Sequence, residues 1–283
     1  AKIRGIRYLA GHAETTDVTN DVNGGPSGIG IATAAGKAAF WDIMGAPDSL
    51  KILAIEGEFA MTSGHAQEMK TTAVAQQVGK RLRILLSYNN AGIDDELIGS
   101  IIKPEYDAYR IQDQWASYGW NVLALDDAND YDQVVAALKT MEDWDTTDDR
   151  PMIVVGRTVK GWWPAADNGT IPGYGDQIVS YQSHPYAFPM NSDYFQALAA
   201  TFEQKFGVEF QGIHDGAVSD NRERLIQLKQ NIDIAMSVLD NDGLGDWLAE
   251  RLVEIGDSVN DELPLRFDRN TDPFLDPRLG VKN

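Results

Sequence analysis

Glu58, the pair Asn89-Asn90 and Gly92 are spaced across a strand–helix–strand pattern, AIEGEFAMTSGHAQEMKTTAVAQQVGKRLRILLSYNNAGID (residues 54–94). The pattern puts a carboxylate after one strand and two amides with a backbone carbonyl after the next. Carboxylate, amide oxygen and main-chain carbonyl are hard oxygen donors that suit Mg²⁺ or Ca²⁺, with water and ligand phosphates completing the shell. The chemistry served by such a set is the holding of a phosphate-bearing ligand through a cation. Taken alone, the same residues also read as a carboxylate at a helix start, where the dipole favours it, followed by an ordinary Asn-Asn-Ala-Gly turn.

The elements that must position these residues follow from hydrophobic periodicity. An Ala-rich helix is expected over Ser27–Ile43, a strand over Lys51–Ile55, a helix over Gly64–Val78 and a strand over Leu82–Ser87. The alternation continues with a helix at Glu105–Tyr118, a strand at Asn121–Leu125, a helix at Tyr131–Glu142 and a strand at Met152–Val155. Strands separated by helices predict an α/β fold with a mainly parallel sheet covered by helices on both faces. Such sheets bind ligands beyond the carboxyl ends of their strands, and the crossover rule makes the strands before Glu58 and Asn90 neighbours. From Pro164 to Pro189 the pattern stops in a loop rich in Gly, Pro, Trp and Tyr, a length that is uncommon without a function. Helices are then expected at Ser192–Phe206, Asn221–Leu239 and Leu244–Ile255, followed by an extended tail, LRFDRNTDPFLDPRL, in which Pro273 and Pro277 do not suit a helix. The expected organisation is a ligand-binding domain over 1–190 and a helical extension and linker over 191–283.

Composition narrows the function. The 283 residues carry a formal charge of −19, which disfavours nucleic acid and anionic membrane surfaces, and no apolar run approaches the roughly 18 residues of a membrane span. The longest basic run, Lys80-Arg81 with Arg83, reads as the solvated start of a strand. An anionic ligand is therefore expected to arrive with a metal cation. The absence of cysteine removes disulfides, thiolate metal sites and a cysteine nucleophile, and the expected compartment is the cytoplasm.

Several blocks, in order, resemble the diphosphate-binding domain of the transketolase family of thiamine diphosphate enzymes. Gly11-His12-Ala13-Glu14 resembles the family's GHPE, and Gly25-Pro26-Ser27-Gly28-Ile29-Gly30 resembles GPLGQG. Gly57-Glu58 takes the place of the Gly-Asp-Gly that opens the cofactor fingerprint, Asn89-Asn90 resembles its closing amides, and Tyr118-Gly119-Trp120 resembles the YGW of transketolases. The resemblance implies that Glu58, Asn90 and the Gly92 carbonyl ligate Mg²⁺, with Ca²⁺ as the alternative ion. The metal would hold the diphosphate beside Gly57, with Gly25 and Ser27 over the aminopyrimidine. It further implies that His12 and His184 line the substrate side and move protons, a task suited to a side chain that titrates near neutral pH. His65 and His214 receive no catalytic task, and the Trp162-Trp163 pair reads either as a cover for the cofactor or as packing at an exposed edge.

The implied activity is transfer of a two-carbon ketol unit between sugar phosphates. The alternatives are an E1-type component acting on 2-oxo acids and a non-catalytic homologue with a degraded metal site. The family's ionising glutamate comes from a pyrimidine-binding domain that this sequence does not contain. A completing domain or subunit in a homo- or hetero-oligomer is therefore expected, and the first domain is expected to lack its N-terminal part. Two departures stand out: Glu58 replaces aspartate, moving the carboxylate by about 1–1.5 Å against an ion that binds at about 2.0–2.1 Å, and Phe59 replaces the second glycine.

Overall fold

The computed structural model describes residues 27–75, 79–92, 111–144, 148–163, 165–166, 169, 192–214 and 218–258. Four strands, Ile52–Gly57 (β1), Leu82–Tyr88 (β2), Asn121–Leu125 (β3) and Met152–Arg157 (β4), form a wholly parallel sheet in the order β1-β2-β4-β3. The central strands β2 and β4 are the most deeply buried, and β4 is buried at every position from Met152 to Gly156, as expected of a strand covered on both faces.

Successive side chains of a strand point to opposite faces, and the two cores follow that alternation. Ile84 and Leu86 of β2 and Ile153 and Val155 of β4 pack with helices α1 (Ile29–Ile43), α2 (Gly64–Ala75) and α3 (Ile111–Ser117). Met152 and Val154, with Leu85 and Leu123, pack instead on Ala137 and Met141 of helix α4 (Tyr131–Asp143). Helices thus cover both faces, as expected. The cover is uneven at the β1 edge, where Leu53 and Ile55 are 50% and 70% exposed.

The described bounds agree closely with the periodicity, and β3 agrees to the residue. Differences have local causes. β1 runs two residues further, to Gly57, and Glu58–Thr62 forms a 3₁₀ turn rather than the start of α2. Helix α6 (Asn221–Met236) passes through a 3₁₀ segment at Ser237–Gly243 into α7 (Leu244–Ser258), with Gly243 at φ 71°. Helix α5 (Asp193–Phe206) starts on a Ser192 hydroxyl that accepts the Phe195 N–H and ends at left-handed Gly207. Trp163 takes the packing role: its indole N–H donates to Thr201 and its ring lies 6.2 Å from Phe202, at the edge of an apolar cavity of about 410 Å³ between α5 and α6.

The basic run needs correction. Arg81 and Arg83 are 1% and 2% exposed, not solvated. Arg81 donates to Asp42 near the end of α1 and to the carbonyls of Ala46, Pro47 and Leu50, while Arg83 donates to the Met141 carbonyl in the last turn of α4. Helix C-termini leave carbonyls without intrahelical partners, and a guanidinium with five N–H groups can gather several acceptors. These residues tie two helix ends to the amino end of β2.

Candidate functional site at the carboxyl ends of β1 and β2

The parallel register sets Gly57 against Ser87, so the residues just past each strand meet. Glu58 leaves β1 into the 3₁₀ turn with its carboxylate turned toward the end of β2. Its Oε2 accepts the Asn89 N–H at 3.2 Å and its Oε1 the Ala91 N–H at 3.1 Å. The Asn89 side-chain oxygen also accepts the Ala91 N–H, at 2.9 Å, and Asn90 stands at the corner in the left-handed region, φ 56°. Asparagine is among the few non-glycine residues that accept that conformation readily. Glu58 is 1% exposed; burial raises its pKa, and the backbone N–H groups that favour the anion work against that rise.

Gly92 follows the turn against the Phe59 ring, where a Cβ on Gly92 would stand 2.8 Å from Phe59 Cε2. Its carbonyl accepts a hydrogen bond from Lys160 Nζ at 2.7 Å. Lys160 comes from the segment after β4, which is held to the same strand end. Thr158 N–H donates to the Tyr88 carbonyl at 3.0 Å, the Thr158 and Ser87 hydroxyls are 2.7 Å apart, and Val159 N–H donates to Asn129 Oδ1 at 2.9 Å.

On the other flank, the N–H of Gly28 donates to Glu56 Oε2 at 3.1 Å. Gly28 has φ 83°, and a Cβ there would lie 2.5 Å from Ser63 Oγ and 2.9 Å from His65 Nε2. Only glycine meets both conditions. His65 Nε2 is 3.0 Å from the Ser27 carbonyl and 3.3 Å from Ser63 Oγ, so it joins α2 to the start of α1. Gly57 is the last residue of β1, and a Cβ placed on it would meet no atom within 4 Å.

The structure therefore gathers Gly57, Glu58, Asn90 and Gly92 at one corner and puts Ser27 on its α1 flank. His12, Gly25 and His184 lie outside the described residues. Lys160 was not singled out from the sequence; its place just beyond the carboxyl end of a central strand is the one local signal for it. Among the described residues no three His, Asp or Glu side chains form a cation cluster, so an ion here would rest on one carboxylate, amide and carbonyl oxygens, and its ligand.

Comparison with known proteins meets this geometry. The chain is 24% identical over 208 residues to a transketolase of Halalkalibacterium halodurans, a match covering 71% of this chain and 27% of that protein. The chain thus spans about a quarter of the length of this curated relative. A transketolase structure from Campylobacter jejuni superposes with a TM-score of 0.52 at 17% identity, covering 84% of this chain and 35% of the other. A mutant transketolase structure from Pichia stipitis, in complex with xylulose 5-phosphate, gives 0.51 at 17% identity over 92% and 35%. These structural likenesses bear on the fold. The transketolase thiamine diphosphate-binding domain family matches residues 6–181, well over half of the chain and all four strands, and the chain belongs to that family.

Proposed function

We propose that the chain is the diphosphate-holding part of a thiamine diphosphate-dependent transferase that moves a two-carbon ketol unit between sugar phosphates. The observation that carries this reading is the buried Glu58 carboxylate, locked to the 89–91 turn across two neighbouring strand ends, with the Gly92 carbonyl beside it already drawing a cation. An all-oxygen donor set, a stand-in ammonium and open space above Gly57 fit a divalent ion carrying a diphosphate.

In this reading Glu58, Asn90 and Gly92 hold Mg²⁺, or Ca²⁺ in its place. Glu58 also keeps the turn rigid by accepting two of its N–H groups, so the donors do not reorganise when the ligand enters. The Gly28 turn, pinned by Glu56 and His65, shapes the flank on which Gly25 and Ser27 would meet the aminopyrimidine. When bound, thiamine diphosphate would supply a thiazolium ring that acts as an electron sink for the pair released as a carbon–carbon bond breaks. His12 and His184 are assigned to proton transfer at the substrate oxygens.

A pyrimidine-binding domain or subunit completes the site and excludes water. A groove of about 330 Å³ between α1 and α2, lined by Ala32, Ala35, Gly36 and Ala39, offers small side chains for such an approach, while Ala34 and Ala38 belong to the chain's own core. A second reading, a homologue that keeps the fold without metal chemistry, is favoured by the Phe59 ring on Gly92 and by the ammonium on its carbonyl. Thiamine diphosphate titrations with and without Mg²⁺, together with ketol transfer from a ketose phosphate, test the proposal. Metal-dependent cofactor binding, with turnover only once the completing domain is added, is the expected result. Binding indifferent to Mg²⁺ and no turnover with the completing domain would refute it.

A further inference from the structure

The predicted donor set contains no protein cation, and the structure adds one. Lys160 lies three residues past the end of β4, and its backbone neighbours are tied to Tyr88, Ser87 and Asn129. The side chain is therefore aimed, not drifting: its ammonium sits 2.7 Å from the Gly92 carbonyl, and it feels the charge of Glu58. A divalent ion on that carbonyl would sit at about 2.0–2.6 Å from the same oxygen. Two cations that close repel strongly in a half-buried site, so one must leave.

We propose that Lys160 is an internal competitor for the cation position, holding the Gly92 carbonyl in the metal-free chain, yielding it when a divalent ion binds, and thereby setting the metal affinity of the site. The inference rests on the diphosphate-site reading above and names the residue that tunes it. The flexible four-carbon stem lets the displaced ammonium move off while staying beside an anionic ligand. The same lysine then serves the site in both states, first as a plug and then as a second positive charge.

The test is calorimetric titration of Mg²⁺ into the 283-residue chain in a fixed concentration of thiamine diphosphate, corrected for the Mg²⁺ that the free cofactor takes up, with Mn²⁺ alone followed by electron paramagnetic resonance as a second probe. Lys160→Met removes the charge and the donor and keeps the stem. It should bind the ion at least about tenfold more tightly, because a charge-assisted hydrogen bond no longer has to be broken. Lys160→Arg, which keeps the plug, should stay near the wild-type value. Thermal melts of the metal-free variants report folding, and if Lys160→Met does not fold, Lys160→Gln replaces it with the same expectation. Unchanged or weaker metal affinity in a folded variant, with the wild-type chain still binding metal and cofactor, overturns the competition and leaves the site reading standing. No metal binding by wild type or variants overturns both.

Discussion

Replacing Lys70 with methionine should change how the stability of this protein depends on pH. Lys70 is 0% exposed on the inner face of α2, its Nζ donating to Gln114 at 2.8 Å and Gln67 at 3.2 Å and lying 4.8 Å from the Trp115 ring centre. Burial disfavours the charged form and lowers the pKa from 10.5 to about 8. At about 1.36 kcal/mol for each tenfold in proton affinity, that displacement is worth about 3 kcal/mol. The sign follows from proton counts. Below pH 8 both folded and unfolded chains carry the proton, and the full cost of a buried ammonium is present. Between pH 8 and 10.5 the unfolded chain holds more protons than the folded one, so stability rises with pH and the cost is relieved. Methionine keeps the apolar stem but has no proton to lose. Leaving Gln67 and Gln114 without their donor costs about 1–3 kcal/mol, an offset that does not vary with pH. Urea unfolding of both proteins at pH 7, 9 and 10.5 isolates the term, because every other titrating group cancels in the difference. The stability difference should swing toward the wild type by about 3 kcal/mol across that range. Parallel pH profiles would refute the assignment of a destabilised ammonium to this site.

Three further substitutions test the proposed function and the packing around the corner. Glu58→Gln retains one acceptor but sets an amide donor against one of the two N–H groups it now receives, costing about 1–3 kcal/mol of stability; thiamine diphosphate affinity in Mg²⁺ should fall by more than about tenfold, and unchanged affinity would remove Glu58 from the site. Gly28→Ala meets both a left-handed φ and Ser63 Oγ at 2.5 Å, so urea denaturation should show a loss of about 1–3 kcal/mol, and a neutral result would contradict the packing of α1 on the 3₁₀ turn. His12→Ala, assayed with the completed enzyme, should lower turnover by about 10²–10⁴ with cofactor affinity nearly unchanged; parallel loss of both would make His12 a binding residue.

Local signals carried much of the fold, and specific residues show where they stopped. Asn121–Leu125 is bounded by the Gly119 turn, which has φ 90°, and by the Asp-Asp-Ala-Asn loop, so both ends of β3 could be read from neighbouring residues. The Glu58–Thr62 turn was not legible, because its first residue is drawn out of the helix pattern by N–H groups more than thirty positions away. Arg81 and Arg83 looked solvated for the same reason: Arg81 meets the Asp42 carboxylate and carbonyls of the segment after α1, and Arg83 a carbonyl in the last turn of α4, all distant in sequence, and charge runs say nothing of tertiary acceptors. At the site, the strand-end logic brought Glu58 and Asn90 together in advance. Lys160 escaped it, since a lone lysine in a loop after a strand acquires meaning only when β4 is known to lie next to β2.

The thinly covered edge of the sheet has a consequence for solution behaviour. Among the described strands β1 stands at an edge, and with Leu53 and Ile55 facing water it offers other molecules both aliphatic area and a row of main-chain groups. Nineteen net negative charges make every copy repel every other, and at about 0.1 M salt that repulsion reaches out roughly 10 Å. At about 1 M the reach contracts to roughly 3 Å, so the colloidal barrier collapses while the aliphatic attraction remains. The protein is therefore shielded by its own charge, and high-salt purification would strip that shield from an edge that carries exposed aliphatic side chains.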